Sequence, residues 1–119
     1  MADQKKGAEA LQIHSETVDG ATVLSPVGDI DLTASPTLRN ELKRVHMSRP
    51  ARVVINLAQV PYMDSSGVAT LVEAMQISRK NGTKLVLCAM QPRVKSIFEI
   101  ARLDTVFTVV PDVAAALAR

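Results

Sequence analysis

The 119-residue sequence predicts a single α/β domain with a mixed, mostly parallel sheet of four to five strands, about four helices and an N-terminal hairpin. Three observations predict it. Apolar β-branched runs alternate with helix-period segments over the second two-thirds of the chain, which requires crossover connections and hence parallel pairing. Asp19-Gly20, between two strand-like runs, is a tight-turn dipeptide. Pro36, Pro92 and Pro111 stand where helices open, and Asn81-Gly82 where one closes.

Met1 to Ala10 is polar and small, has no apolar face to bury, and reads as a flexible tail before a single domain over residues 11–119. Leu11 to Val18 starts as an apolar/polar alternation, and Thr22 to Val27 is the return strand of the hairpin. Pro26 cannot donate a ladder bond, which assigns it to a strand end, a bulge or a free edge. Ser35-Pro36 reads as a cap residue followed by proline at the first helical position, and Leu38, Leu42 and Val45 then fall on one face. Ser48-Arg49-Pro50 stops that helix, with His46 at an end where the dipole mildly favours a proton. Val53 to Leu57 is continuous and apolar, the pattern of a central strand covered on both faces.

A second helix runs from Ser65 to about Arg79, burying Val68, Leu71, Val72 and Met75. Lys84 to Met90 is the next strand. Pro92 opens a third helix with Val94, Ile97, Phe98 and Ala101 on one face. After a break at Arg102-Leu103-Asp104, Val106 to Val110 forms a last short strand, and Pro111 starts an Ala-rich terminal helix.

Composition narrows the function. The formal net charge is +2, the cations are spread over several elements, and Tyr62, Phe98 and Phe107 are the only aromatics. A nucleic-acid binder would gather its cations on one stripe and add stacking rings, so no direct nucleic-acid partner is expected. Cys88 lies in an apolar run and reads as a buried structural thiol; one cysteine allows no internal disulfide. Without a signal peptide or a spanning apolar run, the chain reads as cytoplasmic, with no membrane partner. His14 and His46 lack ligand spacing to another His or Cys, so no metal is expected.

The most informative stretch is Pro61-Tyr62-Met63-Asp64-Ser65-Ser66-Gly67-Val68, between a strand and a helix. Its position sets Asp64 and both serines at a helix N-terminus, where unpaired backbone N–H groups and the macrodipole welcome an oxygen acceptor. Asp64 is the natural N-cap. The serines are either parts of a well-capped turn or a phosphate acceptor; a phosphoserine adds about −1.5 to −2 charges to that surface. Upstream, Asp29 and Asp31 in Gly28-Asp29-Ile30-Asp31 are two apart on an extended segment, so they face one side and can bring negative charge near Ser65.

The order strand, turn, Met63-Asp64-Ser65-Ser66-Gly67, helix, Gly82-Thr83-Lys84, strand, Pro92 with Val94, helix resembles the anti-sigma factor antagonist family, from about Leu11 onward. The resemblance implies the STAS fold, shared with the cytoplasmic domains of sulfate transporters. It implies that Ser65, directly after the Asp, is phosphorylated by a partner that is both serine kinase and anti-sigma factor, and that a serine phosphatase reverses this. It also implies a partner surface made of Asp29, Asp31, Asp64, Ser65, Ser66 and Gly67. Asp31 matches the Asp of the family's Gly-acidic-Leu-Asp motif, and Asp29 stands where Glu is common. Ala69 stands where a second glycine is usual. Gly67 is expected to leave the backbone and the serine hydroxyl open to a large partner.

Neither serine has a glycine two residues before it, as a nucleophile elbow requires, and Gly82-Thr83-Lys84 lacks the rest of a phosphate loop. The expectation is a binding module with no catalytic residues and no cofactor. It frees a sigma factor by binding the anti-sigma factor. The alternative is a STAS scaffold subunit of a signalling or lipid-transport assembly in which the serine stays unmodified.

Overall fold

A computed structural model describes residues 10–119; the expected tail, apart from Ala10, lies outside the described residues. Five strands form one sheet in the order β1 (Gln12–Val18), β2 (Ala21–Val27), β3 (Arg52–Asn56), β4 (Lys84–Cys88), β5 (Thr108–Val110). The first pair is antiparallel and the other three are parallel. Asp19 and Gly20 form the two-residue hairpin loop, both with positive φ (49° and 82°), the backbone twist that such a loop demands. Pro26 lies past Leu24, the last residue of β2 in register with β3, so its missing N–H interrupts no β2–β3 pairing.

The parallel strands follow one another across the sheet, so right-handed crossovers put the connecting helices on one face. These are α1 (Ser35–Met47), α2 (Ser65–Asn81) and α3 (Pro92–Ile100). Strand side chains alternate accordingly. Leu24, Val53, Ile55, Leu85 and Leu87 join Leu38, Leu42, Leu71, Val94 and Phe98 in the larger core. Val23, Val54, Val86, Cys88 and Val110 point the other way, beneath the short terminal helix α4 (Val113–Leu117). β3 is thus covered on both sides, and each buried side chain of its Val53-Val54-Ile55 run stabilises the fold by roughly 1.5–3 kcal/mol.

Several local expectations need correction. Ser35 does not cap α1; the N-cap is Ala34, without a side-chain bond, and the Asp31 carboxylate accepts the Ala34 N–H at 3.0 Å instead. The Ser35 hydroxyl is therefore free to point elsewhere. His46, where the dipole was expected to favour a proton mildly, is buried, with Nδ1 2.8 Å from the Leu42 carbonyl and Nε2 2.7 Å from Ser78 Oγ. A carbonyl can only accept, so Nδ1 carries the proton and Nε2 accepts from Ser78. Burial pushes the pKa of His46 down, against a smaller upward pull from its bond to Leu42.

The buried face of α2 is rotated from the expected one. It runs through Gly67, Thr70, Leu71, Ala74, Met75 and Ser78, with Val68 and Val72 half-buried at its margins. Small residues there let α2 lie close to α1. Gly82 (φ 72°) closes α2, as Asn81-Gly82 predicts, and the helix itself runs two residues past Arg79, to Asn81. β4 ends at Cys88 and not at Met90. Ala101 is an exposed cap of α3 and no part of its buried face. A 3₁₀ turn, Leu103–Thr105, precedes β5, which starts at Thr108 and not at Val106; α4 is capped by Asp112, not opened by Pro111.

Candidate functional site

Two segments far apart in sequence are laced together at the carboxyl ends of β2 and β3. The Gly28 N–H donates to the Gln59 carbonyl at 3.0 Å, Ile30 N–H to Tyr62 at 3.0 Å, and Asp64 N–H back to Ile30 at 3.1 Å. Ile30 and Met63 form a parallel bridge, and both side chains are fully buried. Ile30 turns inward between Asp29 and Asp31, so the two carboxylate-bearing residues lie on the outward side of the extended segment, as the spacing predicts. Asp29 is exposed. Asp31 is half-buried and bonded to the start of α1.

Asp64 closes the lacing. Its Oδ1 accepts from the Ser66 N–H (2.9 Å), the Gly67 N–H (3.3 Å) and the Ser66 hydroxyl (2.6 Å), while Oδ2 accepts from the Leu32 N–H at 3.1 Å. It is the N-cap of α2, as expected, and also the tie that holds the 28–34 loop against that helix. The Ser66 hydroxyl is the main reason its carboxyl sits below the ordinary carboxylate range. Partial burial opposes that, and the N–H groups of Gly67, Ser66 and Leu32 reinforce it.

The two adjacent serines have different fates. Ser65 is exposed, and its hydroxyl makes no hydrogen bond among the described residues. Ser66 is half-buried and tethered, to Asp64 and, at 2.7 Å, to the Ser35 hydroxyl. Ser35 Oγ also lies 2.8 Å from the Asp31 carbonyl. Three contacts share two hydroxyl protons here. The carboxylate forms the strongest of the three bonds, so Ser66 donates to Asp64. The single Ser35 hydroxyl proton is then shared between the Asp31 carbonyl and the Ser66 oxygen.

Gly67 is buried, and the need for glycine comes from inside the molecule. A Cβ at this position would meet Met63 Cγ at 2.6 Å, Ile30 Cγ2 at 2.8 Å and the Ile30 carbonyl oxygen at 2.9 Å. Packing inside the molecule thus gives its smallness a reason that needs no docking partner. Sequence reasoning missed Ser35 as part of this site. Its only local signal was Pro36, which pointed to a helix start, and nothing in sequence links it to Ser66, 31 residues away. Leu32 (76% exposed) and Tyr62 (40% exposed) stand on the two laced segments, and each is an apolar group in water beside the polar cluster.

The arrangement offers one unencumbered hydroxyl on a rigid helix mouth, with a saturated carboxylate beside it. Among the described residues no group of three or more His, Cys, Asp or Glu side chains could hold a metal, and no helix is long and apolar enough to cross a membrane.

Residues 12–116 match the STAS domain family, and the chain belongs to it. The chain is 28% identical over 100 residues, 83% of its length and 85% of the relative's, to BtrV of Bordetella bronchiseptica, named for an inferred role as an anti-sigma factor antagonist. It is 27% identical over 93 residues, 78% of its length and 86% of the relative's, to the anti-sigma-B factor antagonist of Staphylococcus aureus. The crystal structure of an anti-sigma factor antagonist from Mycobacterium paratuberculosis superposes with a TM-score of 0.86 at 25% identity, covering 92% of this chain and 93% of that one.

Proposed function

We propose that this protein is an anti-sigma factor antagonist that works by partner switching. With Ser65 unmodified, the surface made by the 28–34 loop and the mouth of α2 binds an anti-sigma factor and so frees the sigma factor which that partner holds. The same partner is a serine kinase. It transfers phosphate to Ser65, the complex dissociates, and a serine phosphatase restores the binding form. The protein is a regulatory binding module in the cytoplasm and catalyses nothing itself.

The observation that carries this reading is the asymmetry of the serine pair: Ser65 is exposed and unbonded, whereas Ser66 is held by Asp64 and Ser35. Relatives named as anti-sigma factor antagonists support the partner class. The release follows from charge. A phosphate adds about −1.5 to −2 charges beside Asp64, and an interface fitted to a neutral hydroxyl then has to desolvate an unpaired dianion.

The test is incubation with the cognate serine-kinase anti-sigma factor and ATP, read by intact mass and by calorimetric titration of the complex. Wild type is expected to gain one phosphate, on Ser65, and to lose affinity on the order of 100-fold, about 2.7 kcal/mol. Ser65→Ala is expected to gain none and to bind constitutively, and Ser65→Asp to imitate the released state in part. A Ser65→Ala protein that is still phosphorylated stoichiometrically would refute the assignment.

A further inference from the structure

Helix α4 is short, small-sided and fastened from outside. Its five residues bury one side chain fully, Ala116, and a helix of that length has no stability of its own. Two clasps hold its carboxyl end. Arg52 Nη1 donates to the Leu117 carbonyl at 2.7 Å, and Lys84 Nζ donates to the main-chain oxygen of Arg119 at 2.8 Å. Arg52 and Lys84 are the first residues of β3 and β4 and face each other in register, so both clasps hang from one end of the sheet. At the other end, Asp112 accepts the Ala115 N–H at 2.8 Å, a bond within the segment that does not tie it down.

The first clasp is made at a cost. Arg52 Nε is buried without a hydrogen-bond partner among the described residues, and an orphaned donor penalises the closed arrangement while opening would return it to water. Under the helix lie Val54, Val86, Cys88 and Val110, and Cys88 is fully buried.

We propose that α4 is a hinged cover which opens in the native protein by releasing the Arg52 and Lys84 clasps, baring Cys88 and the apolar face of β3 to β5 while the rest of the fold stays intact. Nothing else has to move for this. Helices α1 to α3 pack on the opposite face of the sheet, and Ser65 is carried by α2, so the cover and the phosphorylation site sit on separate layers. The cover therefore adds a conformational equilibrium that runs whether or not a partner occupies the Ser65 end.

The test is alkylation of Cys88 by N-ethylmaleimide, followed by intact mass on the full chain across low urea, alongside thermal melts. Wild type is expected to react slowly, at a rate nearly flat in low urea, because little surface is exposed by opening. Arg52→Met and, independently, Lys84→Met are expected to react at least about tenfold faster with little change in Tm. Leu38→Ala, which weakens the core on the other face, is expected to lower Tm and leave the alkylation rate unchanged. Three results would each overturn the proposal. They are a wild-type rate that rises with urea as steeply as global unfolding, Leu38→Ala accelerating alkylation in step with its lost stability, and Cys88 reacting at once like a free thiol.

Discussion

Asp64 accepts four hydrogen bonds with two oxygens, and three of the donors are backbone N–H groups whose positions define the site. Asp64→Asn keeps the shape but removes the charge and turns one acceptor into a donor that faces other donors. A loss of about 1–2 kcal/mol at neutral pH is expected, read from urea denaturation. The sign of the pH effect follows from the folded-state pKa lying below the ordinary 3.8. The unfolded chain takes up a proton first, so the contribution is complete above that value and is lost as pH falls through the folded pKa. The gap between wild type and Asp64→Asn is therefore expected to narrow in acid; a gap that stays constant down to pH 3 would assign the loss to shape alone. Asp64 was legible in the sequence because a capping residue works on its immediate neighbours, whereas the choice of Ser65 over Ser66 came from the family resemblance. Ser35 was not legible, because its partner is Ser66 and only the tertiary fold brings the two hydroxyls together.

At the scale of elements, the mouth of α2 depends on how closely it approaches the Gly28–Leu32 segment. Gly67→Ala would thrust a methyl group against the Ile30 carbonyl, which is backbone and cannot step aside as a side-chain tip can. Overpacking of this kind costs about 1–3 kcal/mol. Under the proposed function, anti-sigma factor affinity is expected to fall as well, because the strain pushes apart the two segments that would carry the partner surface; unchanged melting and unchanged binding together would show that the contact relaxes freely. The presence and order of the helices and the core strands were readable from Pro, Gly and β-branched runs, though not every boundary: α4 opens at Asp112 and not at Pro111. The exact inward face of α2 was not readable. Its sequence offers Val68 and Val72 as apolar choices, yet Gly67, Thr70, Ala74 and Ser78 lie inside, because α1 is a close neighbour and small side chains admit it. For the same reason a serine could be buried there, once His46 supplied its hydrogen-bond partner.

Over the whole molecule, the His46–Ser78 bond joins α1 to α2 through the larger core and makes overall stability sensitive to pH near neutrality. His46 stays neutral in the fold because burial lowers its pKa below 6.5, while in the unfolded chain it titrates normally. Its contribution is thus full above pH 6.5 and is lost as pH falls through the folded value. The urea midpoint of wild type is expected to decline between pH 7 and pH 5, and that slope to flatten in His46→Gln whatever its absolute stability; equal slopes would place the sensitivity elsewhere. The five-strand arrangement was legible as a whole, since strand and helix alternation leaves few topologies open. The burial of His46 was not, because its partner Ser78 lies 32 residues away on the neighbouring helix.

The lacing of residues 28–32 to 59–64 means that the surface around Ser65 is written in two passages of the chain and becomes a single text only after folding. An enzyme that reads both passages is reading a shape. A peptide copied from either one alone would carry the letters without the message.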